Sequence, residues 1–113
     1  MPGLYRFPKR ERLTRRAEYL RMYREGDKEV GRAFVCYVAR REGQGRKLGC
    51  VVSRKVGGAV VRNRVKRYIR EVYRTHRPHL MDDVHVVLVA RNAAARMDFY
   101  QCEEAIRRLL PLQ

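Results

Sequence analysis

The sequence predicts one α+β domain, and three patterns predict it. Apolar residues recur at helical spacing near the start, in the centre and at the end of the chain. Two β-rich stretches lie between the first and second of these helices, and one almost unbroken apolar run lies between the second and third. At 113 residues the chain suits a single domain spanning 1–113, because a chain of this size buries roughly two-thirds of its unfolded surface. With 45% apolar residues it has enough material for a core despite being 35% charged.

Residues 1–12 mix Pro2, Gly3 and Pro8 with Arg6, Lys9, Arg10 and Arg12, which reads as a flexible basic arm. Thr14 is placed to cap a helix running to about Arg24, with Ala17, Leu20 and Tyr23 at helical spacing and Gly26 as the stop. A strand near Glu29 is faint. From Ala33 to Arg40 a strand puts Phe34, Cys36 and Val38 on one face and Val35 and Tyr37 on the other. Gly43-Gln44-Gly45 then reads as a turn into a second strand from about Lys47 to Ser53, and the two are expected to pair as an antiparallel hairpin.

Gly57 and Gly58 precede a long helix from about Ala59 to Thr75, which Pro78 forces the chain to leave. Val84 to Ala90 is apolar on both alternations, the pattern of a strand covered on both faces. The last helix is expected over Asp98 to Leu110. Asp98 and Gln101 form a capping box there, and Phe99, Cys102, Ile106, Leu109 and Leu110 make the buried stripe.

The net charge of +15 exceeds what solubility needs and points to a polyanionic partner. Of the 27 basic residues 22 are Arg, whose planar guanidinium pairs bidentately with phosphate and stacks on bases. No apolar run is long enough to span a bilayer, and no apolar segment follows the N-terminal charges, so neither membrane insertion nor secretion is signalled. Cys36, Cys50 and Cys102 are odd in number and widely spaced. They read as small core residues of a cytoplasmic protein rather than as a disulfide or zinc framework.

The central helix carries the sharpest signal. At 100° per residue, Val61, Val65, Tyr68 and Val72 fall in one narrow core-facing arc. Arg62, Asn63, Arg64, Lys66, Arg67, Arg70 and Arg74 sweep around the rest, interrupted only by Glu71. Solvation is the ordinary fate of a charged face. Here, however, like charges repeat at i, i+4 and i+8 through Arg62, Lys66 and Arg70, a repulsion of a few tenths of a kcal/mol per pair that a bound anion would relieve. Asn63 adds a neutral donor and acceptor.

The run Val52-Ser53-Arg54-Lys55-Val56-Gly57, followed by Ala59-Val60-Val61-Arg62-Asn63-Arg64-Val65-Lys66-Arg67, resembles the signature of the ribonuclease P protein family. The likeness extends to Arg12-Leu13-Thr14-Arg15-Arg16-Ala17-Glu18, to Phe34-Val35-Cys36-Tyr37 and to Val89-Ala90-Arg91. It implies an αβββαβα two-layer sandwich with a mixed sheet of about four strands and an unusual left-handed βαβ crossover, where a general argument would expect a right-handed one. Gly58 and Asn92 depart from the family pattern.

The resemblance also implies the function: a protein subunit, one per catalytic RNA, that helps remove the 5′ leader from precursor tRNA. Arg54, Lys55, Arg62, Asn63, Arg64, Lys66, Arg67 and Arg70 would bind the RNA subunit, together with the basic arm. Tyr19, Tyr23, Val35 and Tyr37 would bind the unpaired leader, since bases stack on aromatic rings with little sequence preference. Read without the family, these tyrosines are ordinary amphipathic packing.

His76, His79 and His85 lack metal-ligand spacing, and Asp82-Asp83 reads as a hydrated loop. No nucleophile and base can be assembled, so no catalytic residue is assigned in this chain and the protein alone is not expected to cut RNA. Cleavage would fall to the RNA subunit, with magnesium ions held mainly by that RNA and the substrate. The competing reading is a structural RNA-binding protein of ribosomal type with no role in cleavage. A major-groove DNA reader and a self-sufficient nuclease rank behind it.

Overall fold

The computed structural model describes residues 7–113; residues 1–6 of the expected arm lie outside them. In chain order the elements are α1 (Arg16–Glu25), β1 (Asp27–Val30), β2 (Phe34–Arg40), β3 (Lys47–Val51), α2 (Ala59–His76), β4 (Val84–Ala90) and α3 (Phe99–Arg107). Short 3-10 segments occupy Lys9–Glu11, Arg77–His79 and Asn92–Arg96. The order is αβββαβα, and the faint strand near Glu29 corresponds to β1.

The expected hairpin between β2 and β3 does not form. The sheet order is β1-β2-β4-β3, with β4 antiparallel to β2 and parallel to β3. Every β4 residue except Val89 is buried. A strand apolar on both alternations has to be covered on both faces, so β4 takes the interior place that a β2–β3 hairpin would have closed. The loop between β2 and β3 therefore steps across the end of β4. Asp83, just before β4, accepts hydrogen bonds from the amides of Gly43 (3.0 Å) and Gly45 (2.9 Å), two residues whose φ of 78° and 76° only glycine adopts freely.

The two faces of the sheet are covered unequally. On one, Phe34, Cys36, Leu48, Val84, Val86 and Leu88 pack with Val65, Ile69 and Val72 of α2 and Cys102 and Ile106 of α3. This is the two-layer core. On the other, α1 lies across the sheet, and Leu13, Met22 and Val87 form a separate small cluster. Asp98 accepts from the Gln101 amide at 2.8 Å while the Gln101 side chain accepts from the Asp98 amide at 2.9 Å, the expected capping box of α3.

Two local expectations are corrected and one holds. Thr14 does not cap α1: the cap residue is Arg15, whose amide donates to the Glu18 carboxylate at 3.3 Å. Gly26 does end the helix, in extended rather than left-handed backbone. The buried stripe of α2 is Val65, Ile69, Val72 and Tyr73, with Val61 and Tyr68 only at its margin.

The stripe widens toward Tyr73 because the N-terminal segment packs over it. Phe7 meets the Tyr73 ring edge-on at 5.2 Å, and the Tyr73 hydroxyl donates to Glu11 at 2.7 Å. Arg77 Nε donates to both oxygens of Glu11, at 2.7 and 2.9 Å. Glu11 is 4% exposed, so from Phe7 onward the arm is docked by a buried, fully hydrogen-bonded ion pair.

Candidate nucleic-acid interface

The α2 stripe holds the helix against the sheet, and what remains outside is cationic. Asn63, Arg67 and Arg70 are exposed, and Arg62, Arg64 and Lys66 are half-buried at the flanks. Arg54 and Lys55 are exposed in the turn that leads into the helix, which the Val56 amide closes on the Ser53 carbonyl at 3.0 Å. All eight basic and amide residues predicted for RNA binding thus lie along α2 or in the turn before it.

They are not equivalent. Arg64 Nη2 donates to the Ala95 carbonyl at 2.6 Å, which ties α2 to the 3-10 segment before α3 and gives this residue a structural task the sequence did not signal. The Arg67 guanidinium lies 5.7 Å above the Tyr68 ring. Glu71, the one acid on this side, is held by Arg74, whose hydrogen bond pulls the carboxyl below the usual range. The Nε atoms of Arg62 and Arg64 are shut off from solvent with no protein acceptor among the described residues.

The second candidate surface lies on the other face. Tyr23 and Tyr37 meet edge to face at 5.0 Å, so α1 and β2 do bring these two rings together. Tyr19 is fixed differently: its hydroxyl donates to the Leu13 carbonyl at 3.0 Å and its ring packs close against Gly49. A Cβ at Gly49 would stand 2.7 Å from Tyr19 Cε1, so β3 needs glycine there to let α1 approach. Val35 lies on the same face as Tyr37, opposite Val89.

The groove beside these rings takes in Tyr19 and Tyr23 but neither Tyr37 nor Val35, and sequence reasoning missed the rest of it. It holds about 370 Å³ and is lined by Arg16, Tyr19, Leu20, Tyr23 and Val51. Strand alternation from Gly49 could have flagged Val51, which shares its face. Burial raises the pKa of Tyr19 and of Tyr23, so both phenols stay neutral at physiological pH. The groove is therefore apolar and aromatic with one cation at its rim, a surface for base stacking rather than for a duplex backbone.

The remaining polar candidates have other occupations. Asp82 pairs with Arg46 at 2.9 Å, and Asp83 clamps the glycine loop. The His76 ring nitrogen Nδ1 lies 3.0 Å from the Val72 carbonyl. Cys36 and Cys102 are buried in the main core, where burial pushes their thiols up to about 12 and about 11. No helix among the described residues is long and apolar enough to cross a membrane.

The comparisons with known proteins agree with one another. The family model described as Ribonuclease P matches residues 7–111. The ribonuclease P protein component of Dictyoglomus turgidum is 41% identical over 110 residues, covering 95% of this chain and 92% of that protein. Its counterpart in Dictyoglomus thermophilum is 38% identical over 110 residues, covering 95% and 91%. Among solved structures, the RNase P protein of Staphylococcus aureus superposes with a TM-score of 0.82 at 31% identity, covering 87% of this chain and 90% of that one. The RNase P protein of Thermotoga maritima gives 0.81 at 30% identity, covering 89% and 96%.

Proposed function

The chain belongs to the ribonuclease P protein family, and from that premise we propose that it serves as the protein subunit of an RNA-based enzyme that trims the 5′ leader from precursor tRNA. In this reading α2 and the Arg54-Lys55 turn neutralise phosphates of the RNA subunit, while the groove under α1, with Tyr19 and Tyr23, and the adjoining face of β2, with Val35 and Tyr37, take unpaired leader bases. The RNA subunit carries the hydrolysis, with magnesium ions held by it and by the substrate. The protein's share is binding and placement.

The observation that carries the reading is the pairing of two chemically different surfaces on one sheet: a cationic helix on one face and a mainly apolar, aromatic groove on the other. A structural RNA-binding protein has use for the first but none for the second.

Reconstitution tests it. Added to a bacterial ribonuclease P RNA at magnesium too low for the RNA alone, the protein should restore cleavage of precursor tRNA at the mature 5′ end. The protein without RNA should leave the substrate intact. Binding without restored cleavage would favour the ribosomal-type alternative, and cleavage by the protein alone would overturn the division of labour.

A further inference from the structure

A second crevice adjoins Tyr19. It holds about 240 Å³ at the outer edge of β3, and Phe7, Arg12, Thr14, Tyr19, Cys50 and Arg70 line it. None of its lining residues is acidic. Arg12 lies over the Phe7 ring at 4.7 Å and donates to the Phe7 carbonyl at 3.2 Å, which presents a guanidinium beside an aromatic face. Arg70 reaches the crevice from the basic face of α2, and Tyr19 is shared with the leader groove. The crevice therefore joins the two surfaces described above.

The geometry points to this crevice as a binding site for one nucleotide of an unpaired RNA strand, its phosphate between Arg12 and Arg70 and its sugar or base against Phe7 and Tyr19. Cys50 at its floor fits that assignment: burial pushes its thiol up to about 11, while Arg70, Lys66 and Arg12 all act on it in the opposite direction. Three cations thus converge on this sulfur, and the Arg70 side chain is hydrogen-bonded to it. An unpaired nucleotide can turn its base out of the strand and into such a crevice, whereas a paired base is held in its stack.

The site deepens the function proposed above and rests on it for the identity of the strand, which is either the leader or a single-stranded part of the RNA subunit. Thr14 supplies the probe because it is exposed and outside both surfaces assigned earlier. Thr14→Glu places a carboxylate at the mouth of the crevice, and Thr14→Gln places a neutral group of the same size. An acid just before α1 also favours that helix, so folding should not suffer.

With the free protein and a six-nucleotide oligouridylate, Thr14→Glu should bind about tenfold more weakly and Thr14→Gln nearly as well as the parent, a difference of about 1.4 kcal/mol. A blunt RNA duplex should lose much less affinity to Thr14→Glu. Arg12→Gln should repeat the single-strand loss. In the holoenzyme, a loss for precursor but not mature tRNA identifies the strand as leader, and a loss in assembly with the RNA subunit identifies it as that RNA. Equal losses for oligouridylate and duplex, or no loss in a folded Thr14→Glu protein, would overturn the site. Neither result touches cleavage by the parent holoenzyme, so failure here is distinguishable from failure of the proposed function.

Discussion

The two helices that carry the candidate surfaces are anchored very differently. α2 buries Val65, Ile69, Val72 and Tyr73 completely, is tied at its end by Arg77 to Glu11, and through Arg64 is bonded to the Ala95 carbonyl. α1 has one fully buried side chain, Met22, and otherwise rests on half-exposed tyrosines. The contrast suits the roles proposed for the two surfaces. A cationic helix repels itself and holds its shape only if its apolar side is firmly fixed, whereas a stacking groove gains from a wall that can adjust to different bases. Stability is concentrated under the charge, and compliance under the rings.

The largest effect should come from the anchored side. Ile69→Ala removes a fully buried side chain and should cost about 2–5 kcal/mol, seen as a melting temperature lower by about 10 °C or more. Met22→Ala truncates the α1 anchor in a small separate cluster. It should reduce precursor tRNA binding by the holoenzyme while sparing affinity for the RNA subunit. If the two variants behaved alike in both measurements, the contrast between the helices would be wrong.

Charge and stacking should also separate by salt. Replacing Arg62, Arg67 and Arg70 with Ala should reduce the steepness of the log-affinity against log-salt plot for the RNA subunit by about 2–3, at roughly 0.7–0.9 per phosphate contact. Arg64 is left in place because it bonds Ala95. An unchanged slope in a folded triple variant would refute the α2 assignment. Tyr37→Ala should cost precursor tRNA roughly 1–3 kcal/mol, with mature tRNA barely affected, since one stacked base is lost. Equal losses for both tRNAs would make Tyr37 a packing residue.

The smallest effect concerns pH. His85 is 4% exposed on the α1 face of β4, and burial, with Lys47 and Arg41 adding to it, holds its pKa below the ordinary 6.5. The unfolded chain therefore takes up the proton first, so native stability is fully present above about pH 6.5 and declines as the pH falls below it. His85→Gln should flatten that decline in a melting-temperature series. An equally steep decline in the variant would assign it to other groups.

Much of this architecture is readable from local pattern. The α3 cap follows from Asp98 and Gln101, and the strand faces of β2 follow from alternation, because each depends on residues a few positions apart. What was misread depends on distant partners. Gly43-Gln44-Gly45 looks like a hairpin turn, yet its amides are claimed by Asp83, about forty positions on. Glu11 reads as part of a hydrated arm until Arg77 and Tyr73 close around it. Arg64 looks equivalent to Arg62 and Arg67 until the Ala95 carbonyl distinguishes it. The basic face itself was legible because charge on a helix needs no partner to be seen, whereas Leu20 and Val51 become groove walls only once α1 is laid across β3.

The interior position of β4 has a consequence for how the chain reaches this state. β4 is the last strand to be made, yet it pairs with both β2 and β3, so until residue 90 has been synthesised β3 has no strand neighbour and the sheet cannot assemble. Contacts between distant segments slow folding, because loops must close before any pairing rewards them. Nascent α2 accordingly emerges with its cations displayed and its apolar stripe uncovered, a species prone to binding RNA before its scaffold exists. A chain ending at residue 83 should show no cooperative melting while still adhering to RNA in low salt, and restoring residues 84–113 should convert that adhesive segment into a protein whose affinity is coupled to its fold.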